Sequence, residues 1–315
     1  MVQADIITTK SESKMNSIVT SLVPWQHTTH GVTIRGWMTP NCGRNGRPII
    51  HFLHGNGLSN LTYWPFLKHF EHEYDLFLGS VEGHGDSDHR SQQERHDWSI
   101  LTAEVLECYE AMSASWDPQQ PVIALAHSFG AVVTTLMQGN QKRRFDQYIL
   151  LDPVIFPRST IALIRLLNLI GVAQKLPHVR QAIRRRSAWS TRDEVFNSLH
   201  GRGVFKFWTD ESLRCYVEHG THESVKGEWQ LRCPPWLEAR IFSGYPKRLW
   251  SAIGELPVDT YIVHSLATYP FIPKAARQAE KANPHVHRLE VEGTHCFMQE
   301  HPEATYKKIR KLLKF

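Results

Sequence analysis

Cysteine is scarce in this chain and poorly spaced for cross-linking. Its five residues, Cys42, Cys108, Cys215, Cys233 and Cys296, are odd in number, far apart and never form a C-x-x-C pair. That argues against a disulfide framework or a zinc cluster. The histidines are many but lack paired ligand spacing, so no metal site is expected; no cofactor is expected either. No stretch of 18 apolar residues exists to span a bilayer. The first ten residues hold no apolar run behind a basic start, so no secretory signal is read there and the cytoplasm is the expected location. A dinucleotide-type glycine run opening a helix is missing as well. Glu82-Gly-His-Gly-Asp-Ser-Asp88 therefore reads as structural, not as a phosphate cradle.

What is present suits one large domain, or a domain with an insertion: 315 residues, of which 41% are hydrophobic. The net charge of +5 is unevenly spread. Residues 154–248 carry 16 Lys and Arg against 8 Asp and Glu, so this middle is basic and the remainder is acidic. Such a segment fits an anionic substrate, a membrane surface, nucleic acid, or simply a solvated helical face.

Taken in order, residues 1–17 are polar and without period and read as a loose tail. Ser21–His30 and Val32–Met38 read as paired strands around a turn at His30-Gly31, and Pro48–Leu53 as a further apolar strand ending in His54-Gly55-Asn56-Gly57. Leu61–Phe70 places aromatic residues at helical spacing, as core. Tyr74–Val81 reads as a strand, and Ser99–Ala114 as a helix with Ser99 as its N-cap. Val122–Ala126 is an apolar strand running into His127-Ser128-Phe129-Gly130-Ala131 and a helix, and Asp146–Asp152 is a short strand ending in aspartate. From Val154 to about Glu255 strand alternation stops, and a helical, Trp- and Arg-rich stretch follows. Val258–His264 and Pro284–Val291 are two more strands, before Gly293-Thr-His295 and a basic amphipathic helix from Ala304 to Phe315.

A serine flanked by small residues at a strand-to-helix turn stands clear of the sheet, and the next N–H lies at a helix N-terminus where negative charge is stabilised. Ala126-His-Ser128-Phe-Gly130 resembles the nucleophile elbow of the α/β-hydrolases, with alanine for the first glycine. His54-Gly55-Asn56 resembles the segment that supplies that superfamily's second oxyanion donor, and Gly293-Thr-His295 its terminal Gly-x-His segment. Three motifs in the expected order, each at a strand end, are more specific than any one of them. The resemblance implies a doubly wound, mostly parallel sheet. It further implies a core of residues 18–153 and 256–315, and a helical cap, 154–255, inserted after the sixth strand.

The resemblance also implies roles. Ser128 is the expected nucleophile, His295 its base, and the backbone N–H groups of Asn56 and Phe129 the oxyanion hole. The acid is less direct. The segment after the seventh strand, His264-Ser-Leu-Ala-Thr268-Tyr-Pro270, where most members carry it, has no carboxylate. Some members place the acid after the sixth strand instead, and there Asp152 lies 24 residues beyond Ser128. Asp152 is thus read as the orienting acid or, alternatively, as the cap of the Asp-Pro turn. The implied activity is hydrolysis of carboxylic esters, lactones or thioesters of a largely hydrophobic substrate through an acyl-serine. The alternatives are carbon–carbon bond hydrolysis with the same triad, and a binding or receptor-like protein that kept the fold. Serine at the elbow excludes the chemistry of the dehalogenases and epoxide hydrolases, which use aspartate. The expected contacts are a small hydrophobic ester and, through the basic segment, a membrane or lipid surface; nucleic acid is not expected, and the assembly state stays open.

Overall fold

A computed structural model describes residues 21–139 and 143–315, so the expected tail at 1–17 lies outside the described residues. Eight strands form one sheet: β1 (Val23–Thr29), β2 (Val32–Met38), β3 (Ile49–Leu53), β4 (Asp75–Leu78), β5 (Val122–His127), β6 (Gln147–Leu151), β7 (Thr260–Ser265) and β8 (Val286–Val291). Their spatial order is β1-β2-β4-β3-β5-β6-β7-β8. β1 and β2 pair antiparallel and β2 meets β4 antiparallel; from β4 to β8 every pairing is parallel. The sheet is thus mostly parallel and doubly wound, as the sequence leads one to expect.

Burial follows position in the sheet. β3 to β6 are buried at every residue, as apolar runs covered on both faces must be. β2, near the edge, alternates, with Val32 and Ile34 turned inward. Along β5 the two faces differ in size. Ile123 and Leu125 join the core on one side, while Ala124 and Ala126 face Phe129, Val132 and Val133 on the other. Small residues on that face let the helix Ser128–Met137 lie close against the sheet.

Two local expectations differ from the structure. The helix expected at Ser99 begins at Trp98, capped by Asp97, whose carboxylate accepts from the N–H groups of Ser99 and Ile100 at 3.0 and 3.1 Å. Both residue types cap well, and the carboxylate one step earlier reaches two N–H groups at once. The stretch after β6 is not wholly helical. Beside helices such as Arg158–Leu169, Asp210–His219 and Pro235–Ser243 it holds a three-stranded antiparallel sheet of Ala188–Trp189, Trp229–Leu231 and Thr221–Glu223. Strands of two and three residues are too short to leave a period in the sequence.

Among the described residues, the buried His51, His54, His84 and His127 and the half-buried His219 are kept neutral. His51 lies among the rings of Phe77, Tyr109 and Phe145, with no hydrogen-bond partner for either ring nitrogen among the described residues. Burial pushes His51 and His54 down to about 3 and His84 and His219 down to about 4, and holds His127 well below the ordinary value of 6.5. The unfolded chain binds protons at these sites near pH 6.5 and the folded chain does not. Stability from this source is therefore complete above pH 6.5 and falls as the pH drops toward 4. Glu104, raised to about 7 by burial, and Glu218, raised in the same sense, oppose this in part. Each uncompensated histidine costs up to about 1.4 kcal/mol per pH unit. We expect the urea midpoint to fall steeply between pH 6.5 and 5, and His51→Leu to flatten the slope by about one proton. A midpoint independent of pH over that range would contradict the burial of these rings.

Candidate active site

Five neighbouring parallel strands deliver the site from their C-terminal ends, the edge where open α/β sheets bind ligands. Asn56 follows β3, Ser128 follows β5, Asp152 follows β6, Ser265 closes β7 and His295 follows β8. Ser128 has φ of 55°, a left-handed conformation that a non-glycine residue adopts only at a cost. The strained turn is held because Gly130 packs onto β3: a side chain there would meet the carbonyl oxygens of His54 and Leu53 at 2.3 and 2.7 Å. Only glycine permits this approach.

The three candidate residues meet. Ser128 Oγ lies 2.9 Å from His295 Nε2, and His295 Nδ1 lies 2.5 Å from Asp152 Oδ2. The Asp152 carboxylate is fully buried and accepts from the Ser265 N–H at Oδ1, 2.9 Å, and from the Thr268 hydroxyl at Oδ2. A carboxylate surrounded by these donors accepts from His295 Nδ1–H, which leaves Nε2 as the acceptor facing the serine. Asp152 also has positive φ, 41°, so it turns sharply out of β6 toward β7. The segment after β7 that lacks a carboxylate thus supplies Asp152 with donors.

His295 is fixed through its backbone as well. Its carbonyl accepts from His127 Nε2–H at 2.9 Å, and the other nitrogen of His127 accepts from the Tyr63 hydroxyl at 2.7 Å. Tyr63 in turn accepts from the Gly55 N–H at 3.1 Å. The loop beside the serine and the loop carrying the imidazole are therefore joined by one buried hydrogen-bonded line. Burial, with His295 close by, keeps His127 neutral, so it has one donor and one acceptor nitrogen, as this line requires. On the next turn, the Thr294 N–H donates to Glu300 at 2.9 Å.

The oxyanion candidates are free at the backbone. Gly55 and Gly57 donate their N–H groups to Tyr63 and to His84 Nε2, but among the described residues the Asn56 N–H has no acceptor. Phe129 lies in the first turn of its helix, where N–H groups lack intrahelical partners. The Asn56 side chain points elsewhere, donating to the Glu238 carbonyl at 3.1 Å. A series of ring contacts links His295 to Phe129, the residue after the serine: Tyr269 against His295 at 5.0 Å, Phe271 against Tyr269 and Phe156, and Trp98 between Phe156 and Phe129.

Sequence reasoning missed Tyr63, His84, His127, Ser265 and Thr268. Only His127 carried a signal, its place inside the elbow; the others act through contacts that no motif spacing reports.

Comparison with known proteins bears on the family and the fold. The model of the alpha/beta hydrolase family matches residues 52–308. The abhydrolase domain-containing protein AKT2 of Alternaria alternata is 31% identical over 104 residues, 33% of this chain and 35% of that protein. The chain thus matches only about a third of that relative's length. Among solved structures, a thioesterase domain from the curacin biosynthetic pathway superposes with a TM-score of 0.72 at 14% identity, covering 92% of this chain and 99% of that one. The esterase Rv0045c from Mycobacterium tuberculosis does so with a TM-score of 0.67 at 15% identity, covering 93% and 92%. Identities this low speak for the fold alone.

Proposed function

This chain belongs to the alpha/beta hydrolase family, and from that premise we propose that it is a serine hydrolase of carboxylic esters or thioesters. The observation that carries the reading is the unbroken line from Ser128 Oγ through His295 to a buried Asp152. Ser128 attacks the acyl carbon while His295 Nε2 takes its proton. Asp152 holds the imidazole in the required tautomer and stabilises the imidazolium. The N–H groups of Asn56 and Phe129 receive the developing oxyanion, at about 3 kcal/mol each. His295 then returns the proton to the leaving alcohol or thiol, and water repeats the sequence on the acyl-serine.

Residues 154–255 serve as the cap in this reading, shielding the acyl-enzyme from bulk water. The contact from Asn56 to the Glu238 carbonyl ties the helix Pro235–Ser243 to the oxyanion loop. The rings of Tyr269, Phe271 and Phe156 that lead away from His295 favour a hydrophobic acyl group.

A fluorophosphonate probe combined with a substrate panel tests the class. The expected outcome is covalent labelling at Ser128, with nitrophenyl esters turned over faster than a vinylogous 1,5-diketone. Preference for the diketone would make it a carbon–carbon bond hydrolase, and no labelling would make it a binding protein on this fold.

A further inference from the structure

Residues 154–192 contain eight lysines and arginines and no aspartate or glutamate. Arg185 and Arg186 pair with Glu238 and Glu194 from outside the stretch. The other six, Arg158, Arg165, Lys175, Arg180, Arg184 and Arg192, make no ion pair among the described residues.

The helix Arg158–Leu169 opens this stretch and buries only its inner face, through Ile164. Its outer face is apolar. Leu163, Leu166, Leu169 and Ile170 are 54, 54, 76 and 61% exposed, and Ile183 beyond them is 49% exposed. Spacings of three, four and seven place Leu163, Leu166 and Ile170 on one stripe, with Arg158 and Arg165, seven apart, along its edge. Soluble surfaces rarely leave so many large aliphatic side chains together. Beside the helix runs an open groove of about 570 Å³, lined by Leu166, Leu169 and Trp250 with Arg158, Arg165 and Arg248. None of Ser128, Asp152 or His295 lines it.

We propose that this face docks on an anionic lipid bilayer, with the Leu163–Ile170 stripe entering the acyl boundary and Arg158 and Arg165 beside it meeting lipid phosphates and carboxylates. Charge complementarity selects the occupant. The stripe presents aliphatic tips instead of the Tyr and Trp anchors that mark protein interfaces, and its own segment has no acid to answer a basic partner. Among the described residues no helix is long and apolar enough to cross a membrane, so the helix lies on the surface and does not span it. The proposal is independent of the serine chemistry.

Flotation of the full chain with phosphatidylcholine vesicles, with and without phosphatidylserine, tests it. We expect binding at least about tenfold stronger when phosphatidylserine is present, weakening as salt is raised. Leu166→Glu combined with Leu169→Glu should abolish binding, and Arg158→Gln combined with Arg165→Gln should erase the phosphatidylserine preference. Circular dichroism and the unfolding midpoint of both variants should match the parent. Equal or absent binding to the two vesicles, or binding undiminished in the leucine variant, would overturn the proposal. So would a lipid-free dimer that dissociates in that variant, because the face would then belong to a second copy of the chain.

Discussion

Replacing Ser128 with alanine is expected to lower turnover of short nitrophenyl esters by at least about 10⁴-fold and to abolish fluorophosphonate labelling, with folding intact. The variant loses only the hydroxyl that meets His295 Nε2 at 2.9 Å. Alanine is no worse than serine at φ of 55°, and Gly130 still packs against the carbonyls of Leu53 and His54, so the elbow keeps its shape. What survives is the oxyanion pair, which accelerates attack by free water only modestly beside an acyl-enzyme route. The measurement is kcat/KM beside the urea midpoint. Unchanged turnover in a folded variant would remove Ser128 from the mechanism.

Replacing Asp152 with asparagine should cost about 10⁴ in kcat, with little change in KM for a small ester. The side chain keeps its size, and its remaining oxygen can still accept from the Ser265 N–H. The loss lies in the tautomer. An amide donor facing His295 Nδ1 drives the ring proton to Nε2, where it points at Ser128 and cannot accept the hydroxyl proton. Asp259→Asn is the control. Asp259 immediately precedes β7, six residues before Ser265 at the opposite end of that strand, and pairs with Lys314 and His287. Its replacement should leave kcat within about twofold, as for a surface pair of small energetic weight. If Asp259→Asn were the damaging change and Asp152→Asn harmless, the acid assignment would be reversed.

The two substitutions separate what the linear chain reveals from what folding adds. Ser128 announces itself locally. An apolar run, a serine between Ala126 and Gly130 and the start of a helix are all within ten residues, and the steric reasons for that pattern act within the same turn. Asp152 announces itself only as an aspartate at a strand end before proline, a context that serves a turn equally well. Its partners Ser265, Thr268 and His295 lie 113, 116 and 143 residues away. Nothing in the spacing of Thr268 or Ser265 marks either as a donor to a buried carboxylate. The same holds for the line from Gly55 through Tyr63 and His127 to His295, whose last step joins residues 168 apart.

Composition and local period determined the strands, the elbow, the long segment between β6 and β7 and its surplus of positive charge, because burial, backbone strain and solvation act on residues adjacent in the chain. Tertiary structure decided which strands became neighbours. By setting β5, β6, β7 and β8 side by side and parallel, it brought four separate strand ends to one rim of the sheet. Hydrogen bonds reach only about 3 Å. A serine, an imidazole and a carboxylate scattered over 168 residues of chain can act together only where that packing has placed them.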